Sequence, residues 1–189
     1  MEKILWKKDT LLMPIPAALI TCRHEDKDNI ITLAWVGVVC SDPPTISCGI
    51  RPSRKSYGMI RDSKEFVVNI PGESLLKAVD RCGTVSGRDV DKFEDTGLTP
   101  LKATEVGAPL IAECPINMEC RLVDLMQPGI HHLFLGEVVA VHVNADCTID
   151  KKKLDIDKIK PLSYCPGARE YRGLGPKLGG YGKVKDVEE

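Results

Sequence analysis

The 189-residue sequence has no CxxC pair among its eight cysteines, and the closest two, Cys114 and Cys120, stand six apart. That spacing argues against a zinc site. No apolar run approaches ~18 residues, so nothing reads as a membrane span. The opening MEKILWKKDTLLMPIP is broken by charge and does not read as a secretory signal. Cys22, Cys40, Cys48 and Cys120 instead lie inside apolar runs, the pattern of buried, reduced thiols that behave as small hydrophobes. A reducing, cytoplasmic setting is expected. An excess of one charge is also missing: 26 basic residues face 27 acidic ones, for a net charge of −1. This balance argues against nucleic acid as a partner. Walker A, GxGxxG and HExxH patterns are absent, which disfavours a P-loop nucleotide site and a metalloprotease. Any anion site must therefore be local.

The length suits one domain over residues 1–189, long enough to bury roughly 70% of its unfolded surface. Apolar, β-branched segments predict strands over 17–23, 45–51, 65–71, 116–126 and 132–144. The run IITLAWVGVVC predicts one long strand over 30–40, buried on both faces, after a polar turn at 24–29. Short helices are expected over 57–62, capped by Ser56, and over 73–83, with one helical turn at 90–95. From about residue 165 to 189 the chain becomes a Gly-rich tail, irregular and docked by its tyrosines. Alternating βαβ units are missing. The sum predicts an antiparallel β-barrel with a few small helices rather than a Rossmann fold.

Three stretches carry chemistry. In RPSRKS, Arg51, Ser53, Arg54, Lys55 and Ser56 offer cations, hydroxyls and a helix start, the parts of an anion cradle. A solvated basic turn accounts for the same charges. In SGRDVDKF (86–93), small residues permit close backbone approach to a flat ligand, Arg88 and Lys92 add charge and Phe93 adds a ring face; an ordinary loop before a helix is the alternative. In GIHHLFLGEV (129–138), His131 and His132 are adjacent on a strand and point to opposite faces, so at most one enters a given site. Cys82 ends a helix, where thiolates are disfavoured, so a packed thiol is expected there rather than a reactive one.

These stretches fall in a recognisable order. N-x-x-T-x-A-W, DPP and S-Y run over 29–57, followed by VNIP at 68–71, CGTVSGRDVDKF at 82–93 and G-x-H-x-x-F-x-GEV at 129–138. Together they resemble the flavin reductase-like family of FMN-binding split barrels, its flavoredoxin branch most of all, over nearly the whole chain. The resemblance implies a mainly β fold, an antiparallel Greek-key split β-barrel with a few short helices. It implies FMN as cofactor. Asn29, Thr32, Ala34, Trp35, Val36 and Gly37 would run along its ring and ribityl chain, and Cys48, Arg51, Ser53, Lys55 and Ser56 would surround its phosphate. Cys82, Gly83, Ser86 and Gly87 would lie over it, with Lys92 and Phe93 closing the site. His131 would stand on the nicotinamide or substrate side. A homodimer is implied as well. Many family reductases carry an acidic residue before that histidine; here it is Ile130, which favours electron transfer with a ferredoxin-like partner over NAD(P)H-dependent flavin reduction. A binding module on the same barrel that has lost its cofactor is the non-enzymatic alternative.

Overall fold

The computed structural model describes residues 1–182; the end of the Gly-rich tail, 183–189, lies outside the described residues. Seven antiparallel strands form the main sheet: β1 (Ala18–His24), β2 (Lys27–Leu33), β3 (Val36–Ser41), β4 (Pro44–Ile50), β5 (Glu65–Ile70), β6 (Ile116–Met126) and β7 (His132–Val143). Their spatial order is β2-β1-β5-β6-β7-β4-β3. The two edge strands, β2 and β3, are consecutive in sequence, so the sheet curls into a barrel that does not close. Helices α1 (Lys55–Ser63), α2 (Leu76–Thr84) and α3 (Lys92–Thr96) pack around it. No described helix is long and apolar enough to cross a membrane.

Alternation along β1 builds two cores. Ala18, Ile20 and Cys22 enter the barrel with Ile50, Met59, Ile60, Phe66 and Phe134. Leu19 faces the other way, into a cluster beneath α2 and α3 with Val79, Cys82, Phe93 and Ile111. The fold class is the mainly antiparallel split barrel expected from sequence.

Several local expectations are corrected. The run 30–40 is two strands at opposite edges of the sheet, broken at Ala34 and Trp35. It is not buried on both faces: β3 is an edge strand with a register shift between Val38 and Cys40, and Val38 is 84% exposed. Cys40 is exposed for the same reason. The polar turn shrinks to Glu25 and Asp26, both left-handed, and Lys27–Asn29 joins β2. Ser56 does not cap α1. Arg54 occupies that position without a side-chain bond, and the Ser56 hydroxyl accepts a bond from Asn29 Nδ2 (2.7 Å). In the tail, β8 (Ser163–Cys165) and β9 (Glu170–Arg172) form a hairpin that sets Tyr164 against Tyr171. Tyr181 is fully exposed, so only the first tail tyrosine docks.

The long segment between α3 and β6 is held by carboxylates. Glu119 is fully buried and accepts from the N–H groups of Thr104 (2.8 Å), Glu105 (2.6 Å) and Val106 (3.0 Å). Its Oε1 also meets His142 Nε2 at 2.6 Å. Glu65 Oε2 takes the Gly107 N–H at 2.7 Å. Burial opposes ionisation of Glu119, yet these bonds outweigh it and hold its pKa below the usual glutamate value.

Gly136 of the GEV segment is fixed by packing. A Cβ there would lie 2.3 Å from Phe66 Cζ and 3.0 Å from Cys120 Cβ, both fully buried. Gly136→Ala is expected to cost ~3 kcal/mol, read as a lower urea midpoint at unchanged m-value. A wild-type midpoint would contradict this packing.

Candidate functional site

Two joined cavities lie along the open edge of the barrel. The larger, of about 510 Å³, is lined by β2 and the Ala34–Trp35 break, by Arg51 and Arg54, by α2, and by the β8–β9 hairpin. The smaller, of about 220 Å³, lies between α1, α2 and the 85–88 loop, and shares Ile31, Arg54 and Gly83 with the larger. Ile31, Thr32 and Leu33 all line the larger cavity although successive residues of a strand point to opposite faces. The cavity therefore runs along the edge of β2, where backbone N–H and C=O groups have no neighbouring strand.

The smaller cavity has the chemistry of an anion site. Arg54, Lys55, Arg88 and Lys92 line it, with no Asp or Glu among the described residues. The helix α1 starts there without a side-chain cap and without an acid in its first turn; the Tyr57 N–H is taken by the Arg54 carbonyl (3.1 Å), and the N–H groups of Lys55 and Ser56 before it are left for an anion. Two bonds draw the 86–88 loop onto the 53–55 turn: Lys55 Nζ donates to Gly87 O (2.6 Å), and Arg88 Nη1 donates to Ser53 O (2.9 Å). A Cβ at Gly87 would lie 1.8 Å from Asn29 Oδ1, so only glycine lets the loop come this close. Lys92 is 5% exposed and donates to Cys82 O at 2.6 Å. Burial lowers its pKa; Arg54 and Lys55 add to this, and the nearby thiols oppose it. The Cys82 thiol is pushed up to about 11, chiefly by burial, and stays protonated.

The larger cavity has an aromatic rim. His131 stacks on Trp35, with ring centroids 5.4 Å apart and planes 11° from parallel. Arg51 Nε donates to His131 Nε2 at 3.2 Å. An arginine nitrogen can only donate, so Nε2 is the acceptor and the ring proton sits on Nδ1. Burial, then Arg51 and Arg54, lower the His131 pKa and keep the ring neutral near pH 7. His132 points the other way and meets the Tyr57 hydroxyl through Nδ1 at 2.8 Å.

The residues singled out from sequence divide as follows. Asn29, Ser53, Lys55, Ser56, Cys82, Gly83, Ser86, Gly87 and Lys92 line the smaller cavity. Thr32, Ala34, Trp35, Arg51, Gly83 and His131 line the larger. Four stand elsewhere. Val36 and Gly37 border an apolar groove of about 310 Å³ that meets the larger cavity at Ala34 and Trp35. Cys48 is fully buried in the barrel core, because its place in β4 turns it inward. Phe93 packs into the core beneath α3 and borders only a depression outside the Gly87–Arg88 loop. Sequence reasoning missed Asp80, Thr84, Tyr164, Arg169 and Tyr171, which form the wall opposite β2. The YCPGAREYR segment carried a usable signal, a turn between two tyrosines, but nothing local indicates what it packs against.

The comparisons with known proteins bear on the family and the fold. Residues 10–174 match the model of the flavin reductase like domain. Among solved structures, the chain is similar to flavoredoxin of Desulfovibrio vulgaris (Miyazaki F): TM-score 0.89 and 34% identity, covering 95% of this chain and 97% of that one. It is also similar to flavoredoxin from Methanosarcina acetivorans: TM-score 0.87 and 30% identity, covering 95% of each chain. Nitrilotriacetate monooxygenase component B from Bacillus cereus is more distant, with TM-score 0.80, 26% identity, and 88% of this chain and 87% of that one covered. A match over most of the chain, on the same open barrel, decides the kinship: this protein belongs to the flavin reductase-like family.

Proposed function

We propose that the protein is a redox flavoprotein of flavoredoxin type that holds FMN in the two joined cavities. One observation carries the reading: a small pocket of about 220 Å³, lined among the described residues by four cations and no carboxylate, opens into a longer cavity along an unpaired strand edge. The fit is chemical as well as steric. Lys55, Arg54, Arg88 and the start of α1 would take the phosphate, and the Gly87 loop would close over it. The end of the β2 edge, at Thr32 and Leu33, and the Ala34–Trp35 break after it would meet the ring and side chain of the cofactor, in part through backbone groups.

When bound, the flavin supplies the electron-transfer chemistry. The chain's own residues bind, orient and exclude water. Neutral His131, held by Arg51 and Trp35, presents an Nδ1–H to hydrogen-bond a reactant rather than a charge to repel a cation. Electron exchange with a ferredoxin-like protein is favoured over NAD(P)H-dependent flavin reduction, because Ile130, 70% exposed, stands before His131 where many family reductases carry an acid. A homodimer in the cytoplasm is the expected setting.

The test is the visible spectrum of the freshly purified protein, then heat release and mass analysis of the chromophore. Flavin bands with a released species of FMN mass are expected. No chromophore, and none after incubation with excess FMN, would overturn the reading. Steady-state NAD(P)H oxidation separates the two redox roles: slow turnover is expected, and rapid turnover with free flavin would assign the reductase instead.

A further inference from the structure

The loop that closes the smaller cavity is a wall with two sides. Residues 85–91 join α2 to α3, and both ends are pinned. The Val85 N–H donates to Arg81 O at 3.1 Å, and the Asp91 carboxylate caps α3 by accepting from the N–H groups of Phe93 (2.9 Å) and Glu94 (3.3 Å). Between these ends the N–H groups of Asp89 and Val90 both turn back to Ser86 O, at 3.1 Å and 3.3 Å. The middle is drawn inward by the bonds of Lys55 and Arg88, and Gly87 rests on Asn29, whose amide donates to Ser56. A strap this short, tied at both ends and at its middle, is a fixed wall rather than a swinging flap.

The two sides of the wall differ in charge. Inside lie the four cations of the pocket. Outside is an open depression of about 550 Å³ that shares Lys55, Gly87 and Arg88 with the pocket. It adds four carboxylates, Asp26, Asp28, Asp89 and Asp91, and one further cation, Lys27. Asp28 is paired with Arg23 and Asp91 is spent on the cap of α3. Asp26 and Asp89 are exposed and pair with no cation among the described residues. A phosphate monoester brings a charge of about −1.5 to −2 to the pocket and ends the molecule there. The same phosphate inside a dinucleotide lacks the second ionisation and continues into another phosphate and a nucleoside. Leaving the pocket on this side, that second phosphate would have to pass the strap and then approach Asp26 and Asp89, where like charges repel.

We propose that the 85–91 strap selects the cofactor: it accepts a flavin mononucleotide and turns away a flavin dinucleotide, with Gly87 closing the pocket sterically and Asp26 and Asp89 repelling an anion beyond it. This deepens the flavin reading and rests on it. The discrimination comes from a clash and a like charge set against the wrong ligand, in addition to the contacts that hold the right one.

The test titrates the chain, freed of any chromophore, with FMN, FAD and riboflavin, following flavin fluorescence and the heat of binding. Wild type is expected to bind FMN more tightly than FAD by about tenfold or more. Gly87→Ala changes no charge but sets a Cβ against Asn29 and lifts the strap. It should weaken FMN and spare FAD, so that the FMN-to-FAD ratio falls about threefold or more. Asp26→Asn combined with Asp89→Asn removes two charges outside the pocket, and asparagine suits the left-handed backbone at position 26 (φ 58°). FAD binding should then rise about threefold or more relative to FMN, and added salt should shrink the gain. Riboflavin, which has no phosphate, should bind wild type and both variants alike and so reports an intact ring site. FAD binding to wild type within about tenfold of FMN overturns the proposal. So does an unchanged ratio in either variant that still binds riboflavin as wild type does. If Gly87→Ala does not fold, the aspartate pair, which lies at the surface, decides alone. A chain that binds none of the three flavins overturns the flavin reading itself, and the filter falls with it.

Discussion

The Lys55→Ala, Ser56→Ala double variant is expected to bind FMN about 30- to 1000-fold more weakly than wild type while keeping its barrel. Lys55 is tied to the Gly87 carbonyl, and Ser56 to Asn29, so the pair joins both sides of the smaller cavity. Hydrogen bonds to charged groups contribute roughly 1.5–3 kcal/mol each, and two such losses span that range after partial compensation by Arg54 and Arg88. The fold should survive because neither side chain belongs to the apolar clusters. Asn29 loses one partner, at a cost of about 1–2 kcal/mol in stability. Quenching of flavin fluorescence gives the affinity, and far-UV circular dichroism with a urea melt gives the fold. Unchanged FMN affinity in a folded double variant would remove the phosphate assignment.

A second large effect lies far from the cavities. Glu119→Ala is expected to destabilise the protein by ~2–4 kcal/mol, because it removes a buried carboxylate that holds three backbone N–H groups, the buried one of Val106 and the more exposed ones of Thr104 and Glu105. The same carboxylate gives stability an acid limb. Its folded pKa is lowered from 4.5, so the unfolded chain binds more protons as pH falls through that window. The stabilisation is therefore complete above the unfolded value and is lost as pH drops through the lower folded value. Urea midpoints measured between about pH 6 and pH 3 should fall in wild type more steeply than in Glu119→Ala. Parallel curves would show that Glu119 ionises alike in both states.

The fold and the anion pocket were largely legible in the sequence, and the reasons are physical. Strands β1, β4, β5, β6 and β7 are apolar, β-branched and bounded by turn residues, so local pattern sufficed. The RPSRKS turn and the SGR loop advertised themselves through charge and small residues. What failed was whatever depends on neighbours in space. IITLAWVGVVC looks like one buried strand because apolarity does not reveal that its halves sit at opposite edges of a sheet. Cys48 lies close in sequence to Arg51 yet faces the core, since strand alternation and not proximity decides which way it points. Tyr164, Arg169 and Tyr171 reach the cavity only through the docking of the β8–β9 hairpin, for which no local pattern codes.

The open edge of β2 has one further consequence. Its segment Asn29-Ile30-Ile31-Thr32-Leu33 is uncharged, rich in β-branched residues and free of proline, the composition that in other proteins recruits foreign strands and seeds aggregates. Its charged residues, Lys27 and Asp28, stand only at the start of the strand. Shelter comes instead from the cavity walls of α2 and the hairpin, and from whatever planar molecule lies against the strand. A cofactor held there would do double duty, as a redox centre and as the plug that keeps an unfinished sheet from growing into its neighbours; solubility of this protein would then depend on cofactor supply.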